Sequence, residues 1–186
     1  MAFIIAGGSV VSYAEALDVR DKDQRVFEAN EIDFTNVPDA PASLDEYIED
    51  LAAKATDRIN TRIRLSSGWR EYLGRAGSGY TGLNTVPNFD PNKIVTHKAM
   101  FTDMCAFYVL KEFILPKVAD FGDPESPDVQ KITYYENKFS DYFKELMSDF
   151  TYYDNDGDGS VEDGEKQVTF GFLRRGRGRR NVVRVR

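Results

Sequence analysis

Apolar residues recur every three or four positions along much of this chain, which is the spacing of one face of an α-helix. One such stretch begins at Leu44, behind a capping box of Ser43 and Glu46, and predicts a helix of roughly 22 residues. Another stretch predicts an amphipathic helix from about Asp128 to Tyr152. The apolar positions are Leu44, Tyr47, Ile48, Leu51, Ala55, Ile59 and Ile63 in the first helix, and Ile132, Tyr135, Phe139, Phe143, Leu146 and Phe150 in the second.

Three further segments have helical patterns. A capping box of Asp21 and Gln24 predicts a short helix that begins at Asp21, and a second short helix is predicted around Trp69. The segment from Thr96 to Leu115 is apolar on several sides, which predicts the central and most buried helix, and Pro116 and the "GDPESP" run (Gly122–Pro127) are expected to end it. The apolar contacts of the two short helices are expected to be Val26, Phe27 and Ile32 in one, and Trp69, Tyr72 and Leu73 in the other.

The two ends of the chain have other patterns. The first twelve residues, with "FII" followed by "GGSVVSY", are expected to be extended. Near the other end, "KQVTFGFLRR" alternates apolar with other residues and predicts a strand. We therefore expect a mainly α fold, a small helical bundle with an extended N-terminus and a C-terminal strand or arm. Its predicted parts are a helical body (1–153), an acidic loop resembling that of an EF-hand (154–165) and a basic arm (166–186).

Charge is distributed unevenly along the chain. The net charge is −7, but the segment from Arg174 to Arg186 carries +7, so that the remaining residues carry −14. Cys105 is the only cysteine, which excludes an intrachain disulfide and a cysteine zinc cluster and suits an intracellular protein or a particle assembled inside a cell. No apolar run approaches the ~20 residues of a membrane-spanning helix, so we expect no membrane partner.

The acidic loop "DNDGDGSVEDGE" follows the ligand spacing of an EF-hand calcium loop. A hard cation such as Ca²⁺ takes six to eight oxygen ligands. Gly159 occupies the position that needs a sharp turn, and Val161 the usual apolar position. The predicted ligands are the side chains of Asp154, Asp156, Asp158, Glu162 and Glu165 and the backbone carbonyl of Ser160.

The alternative is an acidic, solvated loop that binds no metal. The predicted strand after the loop takes the place of the outgoing helix of an EF-hand, and there is no second loop to pair with. A calmodulin-type opening switch needs a helix pair, so we expect Ca²⁺ to have a structural role. It would fix the angle at which the C-terminal arm leaves the last helix.

The arginine-rich end of the chain, "FLRRGRGRRNVVRVR", is typical of an interaction segment. Its terminal "NVVRVR" alternates apolar and basic residues, which suits a strand added to the edge of a partner's sheet. Arginine and glycine together also suit phosphate binding, and a disordered basic tail is a third interpretation. The predicted partner-binding residues are Arg174, Arg175, Arg177, Arg179, Arg180, Arg184 and Arg186.

Candidate catalytic residues are few, and we expect that the chain is not an enzyme. His97 is the only histidine, and nothing near it in the sequence could orient it for general base catalysis. Cys105 lies in an apolar helix and is expected to be a core residue. "GRAGSG" resembles a phosphate-binding loop but lacks the Lys-Ser/Thr ending.

The layout of these segments resembles the head-to-tail adaptor (connector) proteins of tailed bacteriophages. The resemblance rests on the helices "DKDQRVFEANEI" and "SLDEYIEDLAAKATDRINTRIR", the two later helices and the Arg-rich tail. It implies a structural virion protein, assembled in the host cytoplasm, that forms a homo-oligomeric ring, in that family a dodecamer. It further implies that the C-terminal arm docks onto the portal protein, that a tail-side neck protein is a partner, and that DNA passes through the channel without specific binding.

Two alternative functions remain open at this point. One is a calcium-dependent binding module with a single regulatory loop. The other is a nucleic-acid-binding protein that acts through the Arg-rich tail. The acidic loop is a departure from the adaptor pattern, so the resemblance leaves open how the arm is held.

Overall fold

The chain is mainly helical, as the apolar periodicity predicts. The computed structural model describes residues 3–29, 32–33, 41–75, 82–122, 126–148 and 150–161. Two strands, β1 (Ile4–Ala6) and β2 (Ser9–Ser12), form an antiparallel hairpin. The α-helices are α1 (Ala16–Lys22), α2 (Gln24–Ala29), α3 (Leu44–Leu65), α4 (Ser67–Arg75), α5 (Lys98–Val109), α6 (Leu115–Val118) and α7 (Pro127–Ser148). Short 3₁₀ turns lie at Leu83–Thr85 and Pro91–Lys93, and a π-helical turn lies at Leu110–Ile114.

The extended N-terminus is a hairpin. Gly7 and Gly8 connect its strands with φ angles of 59° and 83°. Glycine adopts such positive φ values without steric cost, and a two-residue hairpin turn of the primed type requires them. Tyr13, directly after β2, is fully buried, and its N–H donates to Thr56 Oγ1 of α3 over 3.1 Å. The hairpin is therefore attached to the helical core at its base.

The prediction of a helix beginning at Asp21 is wrong. Asp21 lies inside α1, whose first turn is capped at Glu15, where Asp18 Oδ2 accepts the Glu15 N–H over 3.0 Å. The helical path is interrupted instead at Asp23, whose buried carboxylate accepts the Tyr135 hydroxyl (3.2 Å) and pairs with the Lys131 ammonium (2.9 Å) of α7. A contact distant in sequence therefore sets the break between α1 and α2.

The two long amphipathic helices follow their predicted stripes. Helix α3 begins behind Ser43, whose hydroxyl accepts the Glu46 N–H over 3.2 Å, although the Glu46 carboxylate reaches the N–H of Ala42 rather than that of Ser43. The predicted stripe of α3 is buried from Tyr47 to Ile63, as are Tyr135, Phe139 and Leu146 of α7. The prediction for α7 is wrong at its end, because the helix stops at Ser148 rather than at Tyr152.

The central helix is α5, which is buried on nearly all sides and packs against α1, α3 and α7. Of the two expected stops, Pro116 lies inside the helical run, which ends at Val118, between Pro116 and the "GDPESP" run. Proline lacks an N–H and its ring crowds the carbonyl four residues earlier, which ordinary α-helical geometry does not accommodate. Here the preceding turn widens to π geometry, with the Leu115 N–H donating to the Leu110 carbonyl, and the helical run continues to Val118. A π turn is a known way of relieving such a conflict.

None of the helices among the described residues is both long and apolar enough to cross a membrane. The strand predicted at 166–175 and the basic arm as a whole lie outside the described residues.

Candidate metal centre

The acidic loop starts directly above a cluster of buried aromatic rings. After α7, the chain turns inward and buries Phe150, Tyr152 and Tyr153. Tyr153 contacts Trp69 of α4 edge-on, with ring centroids 5.1 Å apart, and Phe150 stacks on Tyr72 at 4.9 Å. Burial of aromatic rings is a large source of stabilisation, and their preferred geometries add about 0.5–1.5 kcal/mol per pair. The first residue of the loop is therefore attached to the core of the protein.

Backbone hydrogen bonds to the segment around Ile94 also hold the start of the acidic loop in place. The Asp154 N–H donates to the Lys93 carbonyl and the Val95 N–H donates to the Tyr152 carbonyl, each over 2.9 Å. These two bonds form an antiparallel bridge between Ile94 and Tyr153. The Lys93 ammonium also donates to the carbonyl of Asn155, inside the loop. The entry to the loop is thus held by a segment 60 residues earlier in the chain.

Asp154 is buried, and its carboxylate organises the loop. Oδ1 accepts the Gly157 N–H over 2.6 Å and Oδ2 accepts the Gly159 N–H over 2.7 Å. Both glycines have positive φ, 85° and 89°, which brings their N–H groups toward the carboxylate. Burial raises the pKa of this carboxyl, but the backbone hydrogen bonds from Gly159 and Gly157 outweigh it, and the pKa is lowered overall. Asp154 therefore stays ionised, as a cation ligand must.

The other two aspartates are exposed and make local hydrogen bonds. Asp156 Oδ1 accepts the Asp158 N–H over 3.2 Å. Asp158 Oδ1 accepts both the N–H and the hydroxyl of Ser160, over 2.8 Å and 2.9 Å. These bonds turn the chain back on itself, so that the carboxylates of Asp154, Asp156 and Asp158 converge.

The three carboxylates fit the donor set of a hard divalent cation. One ligand oxygen from each of Asp154, Asp156 and Asp158 lies within 4.8 Å of the others. Oxygens bound to one Ca²⁺ at about 2.3–2.6 Å are separated by at most about 5 Å, because that is twice the ion–oxygen distance. The spacing is therefore compatible with three ligands of a single Ca²⁺, and the ion would neutralise their mutual repulsion.

Part of this centre could be predicted from the sequence, and part could not. It predicted Asp154, Asp156 and Asp158, which the structure brings together, and Ser160, which lies beside them. The predicted ligands Glu162 and Glu165 and the seven predicted partner-binding arginines lie outside the described residues. Lys93 and the inward turn after α7 were missed. The apolar-aromatic run "FTYY" before the loop was a signal for the turn, whereas nothing in the sequence indicates the contact with Lys93.

Comparison with models of known protein families, with curated proteins and with solved structures finds no match to this chain.

The catalytic candidates His97 and Cys105 lie at the N-terminal cap of α5 and inside that helix. Cys105 is fully buried, as expected for a core residue, and burial raises the pKa of its thiol to about 12. His97 is exposed at the start of α5, with Nδ1 2.9 Å from Thr96 Oγ1. His97 has a φ of 58°, and it is the one non-glycine residue with positive φ in the described part of the chain.

Proposed function

We propose that this chain is a structural protein of a tailed bacteriophage particle, whose copies form a homo-oligomeric ring that joins the portal to the tail. The C-terminal arm, residues 166–186, docks onto the portal, and a tail-side neck protein binds the ring from the other side. DNA passes through the channel without specific binding. The protein is then a virion component, assembled in the host cytoplasm, and not an enzyme.

The observation that carries this proposal is the fixed exit point of the helical body at Asp154. The buried aromatic residues before Asp154 and the bridge to Lys93 and Val95 hold this point rigidly to the core. A docking arm binds more tightly when its origin is already ordered, because less conformational freedom is lost on binding. The helical layout and the basic end of the chain support the same interpretation through their resemblance to head-to-tail adaptors.

Calcium completes the proposal at the acidic loop. Asp154, Asp156, Asp158 and the Ser160 carbonyl would hold the ion, with Glu162 and Glu165 as the further ligands. The ion supplies positive charge that closes the loop, and so it fixes the direction in which the arm leaves the body. Its role is structural, because the sequence after the loop predicts a strand where an EF-hand has its second helix.

The charge distribution also suits a ring around DNA. The chain carries −14 outside its last thirteen residues. A negatively charged channel wall repels the phosphate backbone and lets DNA slide without being retained. The basic arm, by contrast, is attracted to an acidic neighbour.

The test is to measure the mass of the full-length protein in solution, alone and with purified portal rings, in Ca²⁺ and in a chelator. We expect a ring, or a complex with the portal, that weakens on chelation. A variant lacking Arg174–Arg186 should lose portal binding. A full-length variant with the seven arginines of this segment changed to lysine keeps the positive charge but lacks the guanidinium groups, so its binding shows which of the two the portal requires. A wild-type chain that stays monomeric and ignores the portal in every condition contradicts the proposal.

A calcium-dependent binding module is the second candidate, favoured by the convergence of the three aspartates. Trp69 is the only tryptophan, and its ring contacts Tyr153, the residue before Asp154. A reversible change in Trp69 fluorescence of the isolated monomer on adding Ca²⁺, without portal binding, would favour this candidate. Salt-sensitive DNA binding that disappears with Arg174–Arg186 would instead favour a nucleic-acid-binding protein.

A further inference from the structure

The exposed side of α3 carries two arginines that rest on aromatic rings. The guanidinium carbon of Arg58 lies 5.0 Å from the centroid of Phe113, and that of Arg62 lies 5.5 Å from Tyr108 and 5.2 Å from Phe139. Together with Asp57 and Thr61, these arginines line an open groove of about 310 Å³ beside Tyr108. We call this surface the arginine groove.

Neither arginine of the groove has a carboxylate partner among the described residues. Lys54, Arg58 and Arg62 follow one another at intervals of four, and like charges at this spacing destabilise a helix by about 0.2–0.5 kcal/mol per pair. Cation–π contacts with the rings hold both guanidinium groups in place while leaving their N–H donors available. The groove therefore presents two positioned cations whose N–H groups have no acceptor among the residues that the structure describes, and such cations bind carboxylates.

The first half of α3 has the opposite charge. Glu49 and Asp50 are exposed, and within the described part of the chain neither carboxylate forms an ion pair or a hydrogen bond, unlike those of Asp45 and Glu46. At about 100° per residue, Glu49 lies about 180° around the helix from Arg58 and about 14 Å away along its axis. We call Glu49 and Asp50 the acidic patch. The helix dipole favours acids in the first turn and bases in the last, but its influence does not extend to these inner positions.

We propose that the arginine groove of one copy binds the acidic patch of a second copy of this chain. The inference rests on the proposed ring, since it names the surfaces through which neighbouring copies meet. Two different, complementary surfaces on one chain form a head-to-tail contact, and such contacts close into rings when the rotation between copies allows it. The remaining chain charge of −14 makes another copy a suitable acidic partner.

Nucleic acid fits the groove less well. Asp57 lines it, and Glu112 and Glu136 flank it through their contacts with Lys111, whose ammonium lies 4.9 Å from the Tyr108 ring. These acids repel the continuous negative charge of a phosphate backbone more strongly than they repel the two carboxylates of the acidic patch.

The test uses full-length variants in sedimentation velocity and in ring assembly on portals. R58E/R62E and E49R/D50R should each weaken self-association by at least about tenfold, because like charges then face each other across the interface. An equimolar mixture of the two variants should restore assembly, since the exchanged charges are again complementary. R25E/K144E, which alters two exposed cations outside the groove, is the matched control and should assemble like the wild type.

The outcomes separate this inference from the proposed function. If the wild type assembles and R58E/R62E and E49R/D50R assemble equally well, the inference is wrong and the ring proposal stands. If the wild type does not assemble at all, the ring proposal fails with it. Because R58E/R62E also removes cation–π contacts, E49R/D50R provides the test in a variant that leaves the aromatic rings untouched. Duplex DNA binding that R58E/R62E abolishes would overturn the inference in favour of nucleic acid.

Discussion

Asp154 combines two roles that are usually separate. Its side chain is 3% exposed, and both of its oxygens accept backbone N–H groups from Gly157 and Gly159. The same carboxylate is the first predicted cation ligand. Its neighbours Asp156 and Asp158 are exposed and accept N–H groups from their own loop. The structural and the metal-binding contributions can therefore be separated by comparing residues within one loop.

We predict that Asp154→Ala destabilises the protein by about 2–4 kcal/mol even in a chelator. Each hydrogen bond to a charged group contributes about 1.5–3 kcal/mol, and relief of repulsion among the three aspartates offsets part of the loss. Asp158→Ala, the control in the same loop, should change stability by less than about 1 kcal/mol in a chelator but should reduce the stabilisation by Ca²⁺. Urea unfolding with and without Ca²⁺ measures both effects. Equal destabilisation by the two variants in a chelator would contradict the anchoring role of Asp154.

Helix α4 crosses the end of α7 at a glycine. A Cβ added at Gly68 would lie 2.5 Å from the backbone oxygen of Met147, closer than real Cβ contacts allow. Ser66 reinforces this crossing, since its hydroxyl lies 3.2 Å from the Met147 sulfur. Because the obstructing atom belongs to the backbone, it can move only if a helix moves. The absence of a side chain at Gly68 therefore sets how closely α4 approaches α7, just before the chain turns toward the acidic loop.

We predict that Gly68→Ala destabilises the protein by about 1–3 kcal/mol, the usual cost of overpacking. Gly74→Ala is the matched control, because Gly74 lies in the same helix with nothing within 4 Å of the added Cβ. There alanine should stabilise the protein by about 0.5–1 kcal/mol, since glycine is entropically unfavourable in a helix. Thermal and urea unfolding measure whether each variant is less stable or more stable than the wild type. Stabilisation by Gly68→Ala would show that the two helices separate easily.

Elements with an uninterrupted apolar stripe could be predicted from the sequence, and those governed by distant contacts could not. The 22 residues of α3 follow from its periodicity and its Ser43 cap. The break at Asp23 depends on Lys131 and Tyr135 of α7, more than 100 residues away. The end of α7 depends on burial of Phe150 and its neighbours in the aromatic cluster. Neither contact can be inferred from the local sequence pattern.

The same division applies to the candidate site. The ligand spacing of the acidic loop is local, so Asp154, Asp156 and Asp158 could be identified from the sequence and are found close together. The depth at which Asp154 is buried and the support from Lys93 depend on the tertiary fold. The sequence therefore predicted that the three aspartates lie together, but not the contacts that hold the start of the loop to the core.

At the scale of the whole molecule, the core contains several groups that can lose a proton only at high pH. Burial raises the pKa of Cys105 from its ordinary 9.0 to about 12 and that of Tyr153 from 10.0 to about 12. Burial also raises the pKa of Tyr13 well above its ordinary value. These residues lie in different elements of the core, so their titration affects the fold as a whole.

We predict that the free energy of unfolding falls as pH rises above about 9. The unfolded chain releases these protons near the ordinary pKa values, whereas the folded protein retains those of Cys105 and Tyr153 until about pH 12, so alkali favours the unfolded state. A fully buried thiol contributes up to about 1.4 kcal/mol for each pH unit within this window. Urea unfolding between pH 8 and pH 10.5 measures the slope. Cys105→Ala lowers stability at every pH by leaving a cavity, but it should make the slope shallower; an unchanged slope would contradict the contribution of the thiol.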